Sequence, residues 1–297
     1  MTFLSELERV GRLVEGRLAE LLAGDGTRSA EDAMLAEAMR YAALGGGKRL
    51  RPFLLISSAG LFGVSEDDVL SVACALECIH CYSLVHDDLP AMDDDALRRG
   101  RPTVHIAFDE ATAILAGDAL LTLAFEIVSD PHHGADPAVR AELVLLLARA
   151  SGWQGMVLGQ ALDLAAERQS FGKAETAAMQ ALKTGALFRF ACEAGAVLGG
   201  AATRERAALL AYASAFGQAF QLADDLLDAE GDAKALGKAV AKDAGRGKAT
   251  LVALLGIDAA KDSLRALVAE AEAALAPFGE RAAMLKELAR FVATRRN

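Results

Sequence analysis

Five carboxylates, Asp87, Asp88, Asp93, Asp94 and Asp95, fall within nine residues, directly after a long apolar stretch. Like charges about 4 Å apart repel by roughly 4 kcal/mol at an effective dielectric near 20. The C-terminal end of a helix is also partly negative already. A solvated acidic turn tolerates such a run, whereas a divalent cation makes it favourable. A second cluster, Asp224, Asp225 and Asp228, lies in a stretch of helical character. There Asp224 and Asp228 share one face, a turn apart, among Phe, Leu and Ala. All-oxygen ligation by aspartates suits a hard ion, Mg2+ above all. That ion typically takes one or two carboxylates, several waters and the oxygens of a substrate phosphate. Two such clusters on two helices suit one polyphosphate clamped through several ions.

A polyphosphate also needs cationic partners, and three basic clusters supply them. The segment GGGKRLRP at 45–52 sets Lys48, Arg49 and Arg51 at the start of a helix. It lacks the GxxxxGK[ST] spacing of a Walker loop, yet glycines before a helix N-terminus still make an anion site. Arg98, Arg99 and Arg101 follow the first acidic cluster closely, and Lys234, Lys238, Lys242, Arg246 and Lys248 populate a glycine-bearing stretch near 230–249. Taken singly, each reads as a solvated surface run. Their alternation with the acidic clusters points to a phosphate substrate.

The elements that must position these groups are helices. The chain has 297 residues, 53 % hydrophobic and 5 % aromatic. Its Ala and Leu richness favours helix over strand. Helices are expected over 2–23, from an N-cap at Ser29 to the glycines at 45–47, after Pro52 to about Gly63, and from an N-cap at Ser65 to Asp87 or Asp88. Further helices are expected over 103–129, 136–168, 173–198 and 203–228, then two or three more after a flexible loop at about 230–249. No linker divides the sequence, so 1–297 reads as one all-α domain, a bundle of ten or more helices. A net charge of −10 argues against nucleic acid as a partner. No window of 18 consecutive apolar residues occurs, so no stable membrane insertion is expected, and the expected location is the cytoplasm. Cys74, Cys78, Cys81 and Cys192 do not form a disulfide framework. Although the first three share a helical face with His80, they read as small buried hydrophobes in preference to zinc ligands.

The segment ECIHCYSLVHDDLPAMD at 77–93 resembles the first aspartate-rich motif of the trans-isoprenyl diphosphate synthases, in its DDxxxxD form. DDLLD at 224–228, after Phe220 and Gln221, resembles the second. The resemblance covers most of the chain. It includes GGGKRLRP at 45–52, RRGRPTVH at 98–105, GQALDL at 159–164, KTGALF at 183–188 and GKAT at 247–250. Within the family the likeness is greatest to the bacterial farnesyl diphosphate synthases. It implies a helical bundle around a central cavity, a homodimer, and head-to-tail condensation of isopentenyl diphosphate with an allylic diphosphate. Carried onto this sequence, the family pattern gives metal binding to Asp87, Asp93 and Asp224, with about three Mg2+ ions when substrate is bound. Asp88 and Asp228 would support those ions or contact bridging waters, and Asp225 counts with them among the catalytic residues.

By the same resemblance Arg98, Lys183 and Lys238 grip the allylic diphosphate, and Lys48, Arg51, His80 and Arg99 hold isopentenyl diphosphate. Lys183 and Thr184 would stabilise the allylic cation, Gln221 would face the diphosphate, and Lys248 would lie in the closing loop. Product length in this family depends on the residues four and five before the first Asp, here Ser83 and Tyr82. A bulky Tyr82 floors the cavity and favours a C15 product over C20 or C10. A terpene cyclase of the same fold is the rival reading. GGGKRLRP and His80 weigh against it, because a cyclase has no second diphosphate to hold.

Overall fold

The computed structural model describes residues 2–23, 29–133, 135–166, 168–235 and 251–294, without the side chains of 133 and 231–235. Helices make up almost all of it, as the composition predicts, and among the described residues the only strands are two of two residues each. Packing divides the chain into two compact units, Met1–Ile56 with Gly63–Val144, and Ser57–Phe62 with Leu145–Asn297.

The first unit opens with α1 (Phe3–Leu21), where the Thr2 side chain accepts from the Ser5 amide, and α2 (Ala30–Ala43), capped likewise by Ser29 on Asp32. α3 (Leu50–Gly60) begins two residues ahead of Pro52, earlier than expected. Proline is tolerated in a first turn, where its missing N–H has no intrahelical partner to lose. α4 (Glu66–Asp87) is capped by Ser65 and carries Glu66, Asp67 and Asp68 against the positive end of its dipole. Every residue from Val69 to Ile79 is buried, so α4 is the central helix of this unit. It packs chiefly on α6 (Glu110–Ser129).

Between α4 and α6 lie β1 (Leu97–Arg98) and β2 (Arg101–Pro102), paired antiparallel with Arg98 opposite Arg101, and the single turn α5 (Val104–Ala107). The expected continuous helix over 103–129 is therefore broken. Phe108 leaves the helical region (φ −120°, ψ −99°), and Asp109 restarts it by accepting from the Thr112 amide at 2.8 Å. By length and hydropathy both α4 and α6 suffice to cross a bilayer. In the fold 78 % of the apolar window of α4 is buried, so its apolarity serves the core. The corresponding figure for α6 is 44 %, and Ile114 and Leu115 stand exposed on it.

Downstream, the expected helix over 136–168 divides at Gly152–Gly155 into α7 (Pro137–Ser151) and α8 (Met156–Ala166). α9 (Lys173–Gln180) passes through one wide π turn, Ala181–Gly185, into α10 (Ala186–Leu198). α11 (Thr203–Ala235) is followed by α12 (Leu251–Leu255), α13 (Ile257–Ala274) and α14 (Ala283–Thr294). The second unit is centred on α10 and α11, where Phe188 meets Phe216 and Phe220 edge-on with ring centroids 5.0 Å apart. The Tyr212 hydroxyl, wholly buried, donates to the Leu285 carbonyl at 2.7 Å and ties α11 to α14. α11 runs on through Ala235, so the first six positions of the expected loop are helical. Residues 236–250, with Lys238, Lys242, Arg246 and Lys248, lie outside the described residues, as does the Lys234 side chain.

Candidate active site

In the first unit the chain turns sharply where α4 ends. The Asp93 amide donates to the Asp87 carbonyl at 2.8 Å, and the Asp95 amide to the Asp88 carbonyl at 3.2 Å. These bonds draw Asp87 and Asp93 into one turn, and the Thr103 hydroxyl fixes its far side by donating to the Asp95 carbonyl at 2.7 Å. Asp88 is 2 % exposed. Arg98 clasps it, with Nε 2.8 Å from both carboxylate oxygens and Nη2 2.6 Å from Oδ1. Burial pushes the Asp88 carboxyl above its ordinary value, and the Arg98 guanidinium opposes that. Asp88 and Arg98, expected to serve metal and substrate separately, are thus partners of each other.

Among the described residues no three His, Cys, Asp or Glu side chains converge to hold an ion by themselves. The donor set still fits Mg2+. With Asp88 turned to Arg98, the turn keeps Asp87 and Asp93, two hard-oxygen carboxylates, and an ion of this type completes its shell with water and phosphate oxygens.

A second group gathers one and two turns back along α4. Arg51 Nη1 lies 3.4 Å from His80 Nε2. Desolvation, then the charges of Arg51 and Arg99, hold the His80 imidazole well below its usual range. His80 is therefore neutral near pH 7, and its Nε2 accepts from Arg51. Arg99, left-handed at φ 52°, donates to the Gly46 carbonyl. Gly47 (φ 126°) permits this approach, since a Cβ there would fall 2.6 Å from Arg99 Nη1. Arg51, His80 and Arg99 are thus joined to the loop that carries the exposed Lys48. Tyr82 is buried and meets the His86 ring edge-on at 5.8 Å. Ser83, half-buried, donates to the His80 carbonyl at 2.8 Å. Cys74, Cys78, Cys81 and Cys192 are buried thiols, and burial pushes Cys74, Cys81 and Cys192 up to about 12.

In the second unit the π turn carries Lys183 and Thr184. Thr184 Oγ1 donates to Gln221 Oε1 at 3.0 Å, Gln221 Nε2 to Asp225 Oδ1 at 2.9 Å, and Gln180 Nε2 to Asp225 Oδ2 at 3.1 Å. Lys183 Nζ sits 2.6 Å from Asp163 Oδ2. Burial raises the Asp225 carboxyl, which these two amides hold in place. Asp224 is half-buried and Asp228 exposed on the same helix. Asp225 thus belongs to the Thr184–Gln221 network, while Asp224 and Asp228 lie on the more open face.

Sequence reasoning missed Asp163 and Gln180 as members of these clusters. GQALDL at 159–164 was a visible motif, but nothing local reveals that its aspartate meets a lysine 20 residues on.

The sequence matches the polyprenyl synthetase family over residues 32–281. It is 41 % identical over 263 residues to the farnesyl diphosphate synthase of Geobacillus stearothermophilus, covering 88 % of this chain and 86 % of that one. It is 43 % identical over 294 residues to the farnesyl diphosphate synthase of Haemophilus influenzae, covering 97 % and 96 %. The crystal structure of an FPP/GFPP synthase from Zymomonas mobilis superposes with a TM-score of 0.89 at 47 % identity, over 98 % of this chain and 99 % of that one. The chain belongs to the polyprenyl synthetase family.

Proposed function

We propose that this chain is a Mg2+-dependent trans-prenyltransferase. It joins isopentenyl diphosphate to dimethylallyl or geranyl diphosphate, makes farnesyl diphosphate and releases pyrophosphate. The observation that carries this reading is the neutral His80 accepting from Arg51 on the helix that ends at Asp87, with Arg99 against the Gly46–Gly47 turn. A cluster of Arg51, His80 and Arg99 beside an acidic turn suits a second diphosphate, and a terpene cyclase has no use for it. The family match runs through both compact units, in keeping with one polyprenyl synthetase domain.

Mg2+, when bound, neutralises the charge that develops on the departing pyrophosphate. Asp87, Asp93 and Asp224 would hold it, in about three ions with substrate present, and Asp228 would act through bridging water. Asp88 orients Arg98 for the allylic diphosphate, and Asp163 does the same for Lys183. Thr184, held by Gln221, sets an oxygen dipole in the π turn for the allylic cation. Gln221 and Asp225 keep that turn fixed, and π turns of this kind concentrate at functional sites. As the allylic C–O bond breaks, the isopentenyl double bond attacks, a C–C bond forms and one proton leaves. The base for that proton is the released pyrophosphate. The family pattern gives Lys238 the role of allylic diphosphate ligand and Lys248 that of a closing-loop residue; both lie outside the described residues.

Tyr82, buried five residues before Asp87 and so about 7.5 Å down the helix, supports a C15 product over C20 or C10. The exposed Ile114 and Leu115 on α6 support a homodimer. A location in the cytoplasm, with no nucleic-acid partner, agrees with the acidic composition.

The test is a product assay with Mg2+, labelled isopentenyl diphosphate and C5, C10 or C15 allylic primers in turn. A C15 endpoint from the two shorter primers, with no extension of the C15 primer, is expected. Extension to C20 would overturn the product assignment and leave the reaction class intact. No incorporation by folded protein would overturn both.

A further inference from the structure

Arg49 stands in the middle of the cationic loop, yet it is 3 % exposed, whereas Lys48 beside it is exposed. Its backbone is left-handed, φ 47°, in a residue with a full side chain. Such a conformation is unfavourable for a residue with a Cβ and persists where the surroundings over-determine it. Here they do. Arg49 Nη1 meets Glu77 Oε1 at 2.5 Å, and Nη2 meets Glu15 Oε1 at 3.1 Å and the Ala43 carbonyl at 2.7 Å. Glu77 is 1 % exposed. Among the described residues Arg49 Nε and Glu77 Oε2 find no hydrogen-bond partner. A buried pair left partly unsatisfied is a poor source of stability, and replacing it by apolar groups often costs nothing. Its value lies in fixing one arrangement.

The arrangement it fixes is specific. Arg49 contacts α4 at Glu77, and Arg51 contacts α4 at His80, one turn further on and on the same face. The two contacts join the same two segments at successive turns. The left-handed step at Arg49 takes one cation of the loop inward while Lys48 stays at the surface.

We propose that the buried Arg49–Glu77 ion pair is the positioning element of the isopentenyl diphosphate site, setting the register of the 46–51 segment, the loop and the start of α3, against α4 so that Lys48, Arg51 and His80 form one diphosphate cradle. The inference rests on the reading of those three residues as that site. Arg49 and Glu77 themselves touch no substrate.

Binding of isopentenyl diphosphate alone, with no allylic partner to react with, is measured by titration calorimetry on the full chain. The proteins are the parent, Glu77→Gln, Arg49→Lys and the double variant Arg49→Met/Glu77→Leu, with Lys48→Ala and His80→Ala as controls. Glu77→Gln is expected to weaken binding tenfold or more. It should also raise KM for isopentenyl diphosphate by a like factor while KM for geranyl diphosphate stays within twofold. Arg49→Lys, which keeps the charge and loses the two-pronged contact, should fall between parent and Glu77→Gln. The double variant, free of an orphaned buried charge, is expected to match the parent in melting temperature and still bind weakly, which separates positioning from folding. Parent-like binding in a folded Glu77→Gln or double variant overturns the proposal, as does an equal rise in both KM values. Parent-like binding in both Lys48→Ala and His80→Ala would instead overturn the site assignment on which it rests.

Discussion

Gly159 lies directly against Lys183: a Cβ added at 159 would fall 2.1 Å from the Lys183 amide nitrogen and 2.5 Å from its Cα. α8 therefore crosses the π turn at backbone contact, and the same crossing brings Asp163, one turn along α8, to the Lys183 ammonium. The atoms that block a side chain there are backbone atoms, which have no rotamer to yield. Gly159→Ala is expected to cost about 1–3 kcal/mol of stability, as overpacking does. It should also lower kcat by displacing Lys183 and Thr184. Urea unfolding and single-turnover kinetics on one preparation check both effects.

The aspartates assigned to metal should matter for turnover far more than for folding. Asp87→Asn and Asp224→Asn each remove a carboxylate from an acidic cluster, which relieves like-charge repulsion in the protein without Mg2+. Each should also lower kcat by 10²–10³, equivalent to about 3–4 kcal/mol of lost transition-state stabilisation. Melting temperatures without Mg2+ should equal or exceed the parent's. Full activity in either variant would remove that residue from the metal assignment.

Tyr82 has two jobs that separate experimentally. As a core residue, its replacement by alanine should destabilise the protein by about 3–5 kcal/mol, the usual cost of deleting a buried ring. As the floor of the chain-length cavity, it should also shift the products of Tyr82→Ala beyond C15. Chromatography of the prenyl products decides. A C15 profile from folded variant would make Tyr82 core alone.

Burial and neighbouring arginines depress His80 in the folded chain well below its ordinary value of 6.5. Below pH 6.5 the unfolded chain thus takes up a proton that the native one refuses. Stability from this group is full above 6.5 and is lost as pH falls through that value toward the folded one. Denaturant midpoints should decline between pH 7 and 5, and His80→Gln should flatten part of that decline. An unchanged slope in the variant would show that His80 titrates normally.

Much of this protein was legible in its sequence. The caps at Ser29 and Ser65 hold in the structure because capping is a matter of three or four adjacent residues. The all-α class follows from propensity summed over long windows. The carboxylate runs at 87–95 and 224–228, the GGGKRLRP loop and the helical spacing of His80 from Asp87 are likewise local facts. They were enough to state the chemistry. The breaks at Phe108 and Gly152–Gly155 were not legible, since apolar periodicity runs through both.

What only the tertiary structure decided is which charge meets which. Asp88 finds Arg98, Lys183 finds Asp163 from 20 residues away, and Arg49 finds Glu77 across 28. In the sequence all six read alike, as members of acidic or basic runs or as lone charges. Helical periodicity fixes the face a side chain occupies. It says nothing about the element that will cover that face, and burial is what turns a solvated charge into an obligate partner.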